Sequence, residues 1–159
     1  MPTPKRGQAT IAIEAHPGRI YDLIADITRM GEWSPECRQC EWVGDVRRPV
    51  VGARFRGHNR MGAIKWTTTC EIVAADPGRE FAFTVIHDRS GRESTRWRYR
   101  MEVKDATTVV TESFEFVWCP VTSRVGELFL PRGRVLRQGV NETLERLKAA
   151  AEAVTTPAD

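Results

Sequence analysis

The sequence predicts an α+β fold: a curved, seven-stranded antiparallel sheet wrapped around one long C-terminal helix, with two short helices after the first strand. Three observations carry that expectation. Seven alternating apolar/polar segments follow one another between 8 and 117, mostly with turn-sized links, which implies antiparallel pairing. One apolar stripe, stepping by three and four residues, runs from Leu136 to Val154. A second helical pattern opens at Pro17, between the first strand and the other six.

Residues 1–7 read as a loose polar arm. Thr10, Ala12 and Glu14 alternate with Ile11, Ile13 and Ala15, so strand one spans about 8–15 with its isoleucines inward. Pro17 suits a first helical position, where its missing N–H costs nothing. Ile20, Leu23, Ile24 and Ile27 then recur at helical spacing. Gly31 and Pro35 break the pattern, giving short helices over 17–25 and 27–31. Trp33, beside Ser34-Pro35, suits either a core plug or a cavity wall. Further strands are expected over 37–43, 53–59, 64–75, 80–87, 95–103 and 107–117. Asp76-Pro77-Gly78-Arg79, Ser90-Gly91 and Asp105-Ala106 mark turns. Residues 118–130 are irregular but too apolar for a free linker, and fit a lid or a packed crossover. The last helix starts at Pro131. Gly139 within it costs up to about 1 kcal/mol of propensity and leaves room for a close neighbour or a ligand. One domain is expected over 8–154, with 1–7 and 155–159 as flexible termini.

Pairing follows from the turns. A two-residue turn at Asp105-Ala106 sets Met101 opposite Val110, Tyr99 opposite Glu112 and Trp97 opposite Phe114. A four-residue turn at 76–79 sets Ile72 opposite Phe83, Cys70 opposite Val85 and Thr68 opposite His87. A bulge or an extra loop residue near Ser90 is needed to keep Val85 and Trp97 on one face. Arg96, Arg98, Arg100 and Glu102 then point away, as the wet convex face. Glu112 falls on the apolar side, where a one-residue slip would turn it outward.

A curled sheet of seven strands is wider than one helix of about 10 Å diameter. The inner rows carry Phe55, Trp66, Phe83, Trp97, Tyr99 and Phe114, interleaved with small or polar Gly57, Asn59, Thr68 and Cys70. Apolar walls with a few polar groups describe a small-molecule cavity.

Composition bounds the alternatives. The 159 residues suffice for one core without disulfide or metal support. A net charge of +3, from 24 Lys and Arg against 21 Asp and Glu, is weak for a nucleic-acid binder, so none is expected. There is no signal-peptide pattern and no apolar run near the roughly 20 residues of a membrane span. A cytoplasmic, reducing location with free thiols is the expectation. Cys37-x-x-Cys40 has no second pair and no nearby histidine spacing for zinc, and does not open a helix as a redox motif would. The cysteines are read as structural, with no metal and no cofactor expected. No phosphate-binding glycine loop and no Ser-His-Asp set is legible.

Several stretches together resemble the START-like polyketide cyclase/dehydrase (SRPBCC) superfamily, with the helix-grip fold of the birch-pollen allergen group. They are Ile11 to Ala15; Pro17-x-x-Ile20-Tyr21-x-Leu23-Ile24-Ala25-Asp26; Met30 to Glu36; Val51 to Phe55; Trp66; Pro77 to Phe83; and Val109 to Phe114. The resemblance covers about residues 8–150 and is greatest for small actinobacterial single-domain members. It implies a hydrophobic ligand between the sheet and the final helix. It carries no universal catalytic residue onto this chain.

The leading functional expectation is a carrier, store or sensor of a small hydrophobic molecule such as a lipid or polyketide. Its candidate lining is Trp33, Phe55, Trp66, Thr68, Phe83, Trp97, Tyr99, Glu112, Phe114, Leu136 and Val140. The alternative is a cyclase, aromatase or dehydratase using Glu112 with Tyr99, and His87 as a further polar candidate. A carboxyl group in an apolar pocket has a raised pKa and can donate a proton near neutral pH. A third reading is an interaction module around 118–129. The chain is expected as a monomer or homodimer.

Overall fold

A computed structural model describes residues 6–118 and 132–153. Strand β1 (Arg6–Ile13) is followed by helix α1 (Pro17–Ala25) and a 3₁₀ helix (Ile27–Glu32). Six strands come next: β2 (Cys37–Val43), β3 (Arg54–Met61), β4 (Ile64–Asp76), β5 (Glu80–Ile86), β6 (Glu93–Lys104) and β7 (Thr107–Phe116). The C-terminal helix, α2, spans Arg132–Glu152. All strands join one antiparallel sheet in the order β1-β7-β6-β5-β4-β3-β2. The sheet curves around α2, which gives the helix-grip architecture. The chain crosses from one sheet edge to the other between β1 and β2, and α1 and the 3₁₀ helix occupy that crossing.

Local chemistry sets the boundaries. Pro17 sits in the first turn of α1, and the His16 ring nitrogen accepts from Gly18 N–H (3.1 Å) as its N-cap. Asp26 caps the 3₁₀ helix by accepting from Thr28 N–H (3.2 Å). Lys104 pairs with Thr107 across a two-residue turn, so Met101, Tyr99 and Trp97 stand opposite Val110, Glu112 and Phe114 as the turn requires. Ile72–Phe83 and Cys70–Val85 are also paired, but by another route. The loop after β4 is one residue shorter than expected, and a bulge at Val73 restores the register. Gly78 (φ +74°) takes the left-handed position in that loop. A register shift between Val85 and Ile86 keeps Val85 and Phe83 on the face of Trp97.

Several expected features differ. Arg6 and Gly7 belong to β1, paired with Glu115 and Phe114, and are not part of a loose arm. Ladder bonding to β7 outweighs their lack of apolar side chains. The second short helix is 3₁₀. The Thr68–His87 pair does not form, because β5 ends at Ile86 and His87 closes the following loop by bonding to Arg92 and Gly91. Val103, next to the end of β6, is exposed. The proposed lid at 118–130 lies outside the described residues beyond Trp118. So do the helix start at Pro131, the end of the stripe at Val154 and the tail 155–159.

The core lies between the sheet and the helices. Ile20 and Ile24 of α1, Ile13 of β1, Phe81 of β5 and Leu144 and Leu147 of α2 are almost fully buried. Each such side chain contributes about 1.5–3 kcal/mol on burial, before entropy is counted. Polar ties fix α2 to β1 and to α1. Lys148 donates to the Ala12 carbonyl (2.8 Å), and Arg19 donates to the Ala151 carbonyl (2.9 Å). Gly139 lets Pro35 approach: an added Cβ would stand 3.3 Å from the proline ring. On the outer face Arg96 pairs with Glu93, and Arg98 and Arg100 with Glu80, so the arginine row is largely neutralised. Among the described residues no helix is long and apolar enough to cross a membrane.

Candidate functional site

A cavity of about 540 Å³ opens between the inner face of β2 to β7 and the N-terminal half of α2. Its floor is aromatic. Phe55 meets Phe83 edge-on at 5.2 Å, and Phe83 stacks on Trp97 at 6.5 Å. Alternation along three strands puts these rings on one face. Leu136 supplies the helix side.

Two polar features interrupt the apolar wall. Asn59 donates to the Thr68 hydroxyl across β3 and β4 (3.2 Å). Tyr99 and Glu112, directly opposite on β6 and β7, form the second: the phenol donates to Glu112 Oε1 at 2.8 Å. Glu112 is 2% exposed, and its Oε2 has no partner among the described residues. Burial pushes the Glu112 carboxyl up to about 8, against the smaller opposing effect of the Tyr99 hydrogen bond. Burial, then the carboxylate beside it, also raises the Tyr99 phenol well above its ordinary value. At neutral pH the pair is therefore a phenol and a largely protonated acid in the cavity wall.

At the rim, Arg132 in the first turn of α2 forms a two-pronged pair with Glu36 (2.5 and 2.9 Å), while its guanidinium lies 5.3 Å over the Trp66 ring. This tie joins the helix to β2 and β4 beside the opening. Cys37, Cys40 and Cys70 also reach the cavity wall. Among the described residues no three His, Cys, Asp or Glu side chains converge as a metal site.

Of the residues singled out from sequence, Phe55, Trp66, Thr68, Phe83, Trp97, Tyr99, Glu112 and Leu136 border this cavity. Four do not. Trp33 is a core plug, 3% exposed at the end of the 3₁₀ helix, with the Arg29 guanidinium 5.5 Å over its ring. Phe114 and Val140 pack with Leu136 in a separate cluster nearer the β1 edge, where α2 sits directly on the sheet. His87 lies past the end of β5, bonded to Ser90 (3.0 Å) and edge-on to Trp118 (5.2 Å), away from Glu112. The sequence reading missed the Arg132–Glu36 tie, because no spacing links positions 96 residues apart. It also missed the inward turn of both Cys37 and Cys40, which depends on a bulge. The signal was there: two apolar residues three apart on a strand break its period of two.

Fold and site define a helix-grip protein with an apolar, acid-bearing cavity between sheet and terminal helix. Residues 5–152 match the family described as polyketide cyclase / dehydrase and lipid transport, and the chain belongs to it. It is similar to the Polyketide_cyc-like protein Cgl2372 from Corynebacterium glutamicum, with 31% identity over 99% of this chain and 100% of that one (TM-score 0.60). It shares its fold with protein CV1439 from Chromobacterium violaceum at 15% identity, covering 95% and 99% of the two chains (TM-score 0.68). It also shares it with half of the di-domain ARO/CYC StfQ from the steffimycin biosynthetic pathway, at 15% identity over 93% of this chain and 50% of that one (TM-score 0.73). No curated protein matches the sequence.

Proposed function

We propose that this protein binds a small, largely apolar molecule carrying a carbonyl group, held in the cavity with that oxygen on Glu112. The observation that carries the reading is the buried, unpartnered Oε2 of a carboxyl group whose residue borders an aromatic cavity. A neutral acid whose first oxygen is occupied by Tyr99 has one hydrogen left to give. A buried donor without an acceptor costs about 1–3 kcal/mol, and a ligand carbonyl would remove that cost. The cavity volume falls within the range of small-molecule sites. Family membership supports lipid- or polyketide-like ligands.

A second reading has its own support. An acid with a pKa near 8 beside a carbonyl can protonate it as an enol forms, which is the step a cyclase or dehydratase needs. The family includes such activities in its description. Compounds extracted from natively purified protein and identified by mass spectrometry test the main reading. A near-stoichiometric apolar carbonyl compound is expected. Recovery of only charged or sugar-like compounds would contradict it.

A further inference from the structure

We propose that Cys37 and Cys40 form an oxidisable dithiol in the cavity wall, closed to a disulfide by a hydroperoxide that enters the cavity. The inference uses the same cavity as the reading above but is independent of its ligand.

Residues three apart on a regular strand face opposite ways. Here the pairing of β2 with β3 shifts between Cys37 and Gln39, so that Cys37 lies opposite Asn59 and Cys40 opposite Gly57. The bulge at Arg38 turns both thiols inward. They meet at 3.3 Å, and both are buried, at 3% and 4% exposure. The bulge is built in. The Arg38 carbonyl presses on Gly31 so closely that a Cβ there would stand 2.2 Å from it. Cys37 N–H donates to Ser34 Oγ at 3.0 Å, fixing the strand entry. A disulfide needs the sulfurs at about 2.05 Å, and the thiols already stand in contact at 3.3 Å.

The two thiols share a hydrogen bond in which either can be the donor. Within the pair that bond holds one thiol below its ordinary value, while the bond and then burial push the other up. Cys70, on the same wall, is pushed up to about 12 by burial. One thiol of the pair is the nucleophile and the other resolves its product. The attacking thiolate bonds to one peroxide oxygen and the O–O bond breaks. The alkoxide leaves as an alcohol after taking a proton, and the attacking sulfur becomes a sulfenic acid. The second sulfur then attacks the first and expels hydroxide, which leaves as water with the second thiol's proton. Two thiols are oxidised to one disulfide, and one peroxide is reduced to alcohol and water.

The test treats the whole protein with stoichiometric cumene hydroperoxide or hydrogen peroxide, alkylates the remaining thiols and maps the peptides. The expected result is a Cys37–Cys40 link, reversed by dithiothreitol, with Cys70 still alkylated. C37S and C40S should each lose the link, and the remaining thiol of the pair should stop at a sulfenic acid that dimedone traps. C70S should link as the parent does. Circular dichroism of each variant separates loss of fold from loss of reaction. The proposal is overturned if natively folded protein shows no link, or if Cys70 oxidises as fast as Cys37.

Discussion

Glu112 sits where its environment decides its charge. In the unfolded chain it ionises near an ordinary carboxyl value, whereas in the folded protein burial keeps its proton to about pH 8. The folded state therefore binds more protons than the unfolded one between those values. Stability from this group is greatest below pH about 4.5 and falls as pH rises to about 8, by about 1.4 kcal/mol per unit. Glu112→Gln imitates the neutral acid and removes this slope. In urea melts E112Q should match the parent near pH 4.5 and exceed it by roughly 3–4 kcal/mol at pH 8. Equal stability at pH 8 would mean that the carboxyl group is not held neutral. The position of Glu112 could be read from sequence, because a two-residue turn fixes the β6–β7 register and alternation does the rest. Its unpartnered oxygen could not be, since that depends on what α2 leaves uncovered. His87 shows the opposite case: extending a strand by one residue placed on the inner face a side chain that the loop takes elsewhere.

At the scale of elements, periodicity gave every strand and both helices to within one to three residues at most ends. Three features escaped it: two interruptions of a strand and one extension. The bulge at Arg38 shows in the alternation only as two cysteines three apart, and the bulge at Val73 leaves no such mark, although it keeps Ile72 opposite Phe83. The ladder that draws Arg6 and Gly7 into β1 is a long-range contact with β7. Gly31 marks the first bulge, because only a residue without Cβ leaves room for the Arg38 carbonyl. Gly31→Ala should therefore cost about 2–3 kcal/mol in denaturant melts, beyond any gain in local propensity. The same change should push the strand outward and slow oxidation of the Cys37–Cys40 pair. A variant as stable as the parent would show that the bulge is not braced there.

The whole molecule is a sheet too broad for its helix. α2 lies against β1 and β7, where Phe114, Leu136 and Val140 close the gap, and leaves open space above β3 to β6. The Arg132–Glu36 tie holds the first turn of α2 over that space. The width mismatch was legible from strand count and helix number, but the division of the inner face between packed and open halves was not. Trp97 borders the open half and Phe114 fills the closed one, although they are direct cross-strand partners. The placement of α2 decides that division.

Calorimetric titration of fluorenone and fluorene, equal in shape but for one carbonyl, tests the cavity and its acid together. At pH 6.5 fluorenone should bind about tenfold more tightly, the worth of one buried hydrogen bond. By pH 9, with Glu112 ionised and no longer a donor, the preference should vanish. Equal affinities at pH 6.5, or no binding of either compound, would contradict the account.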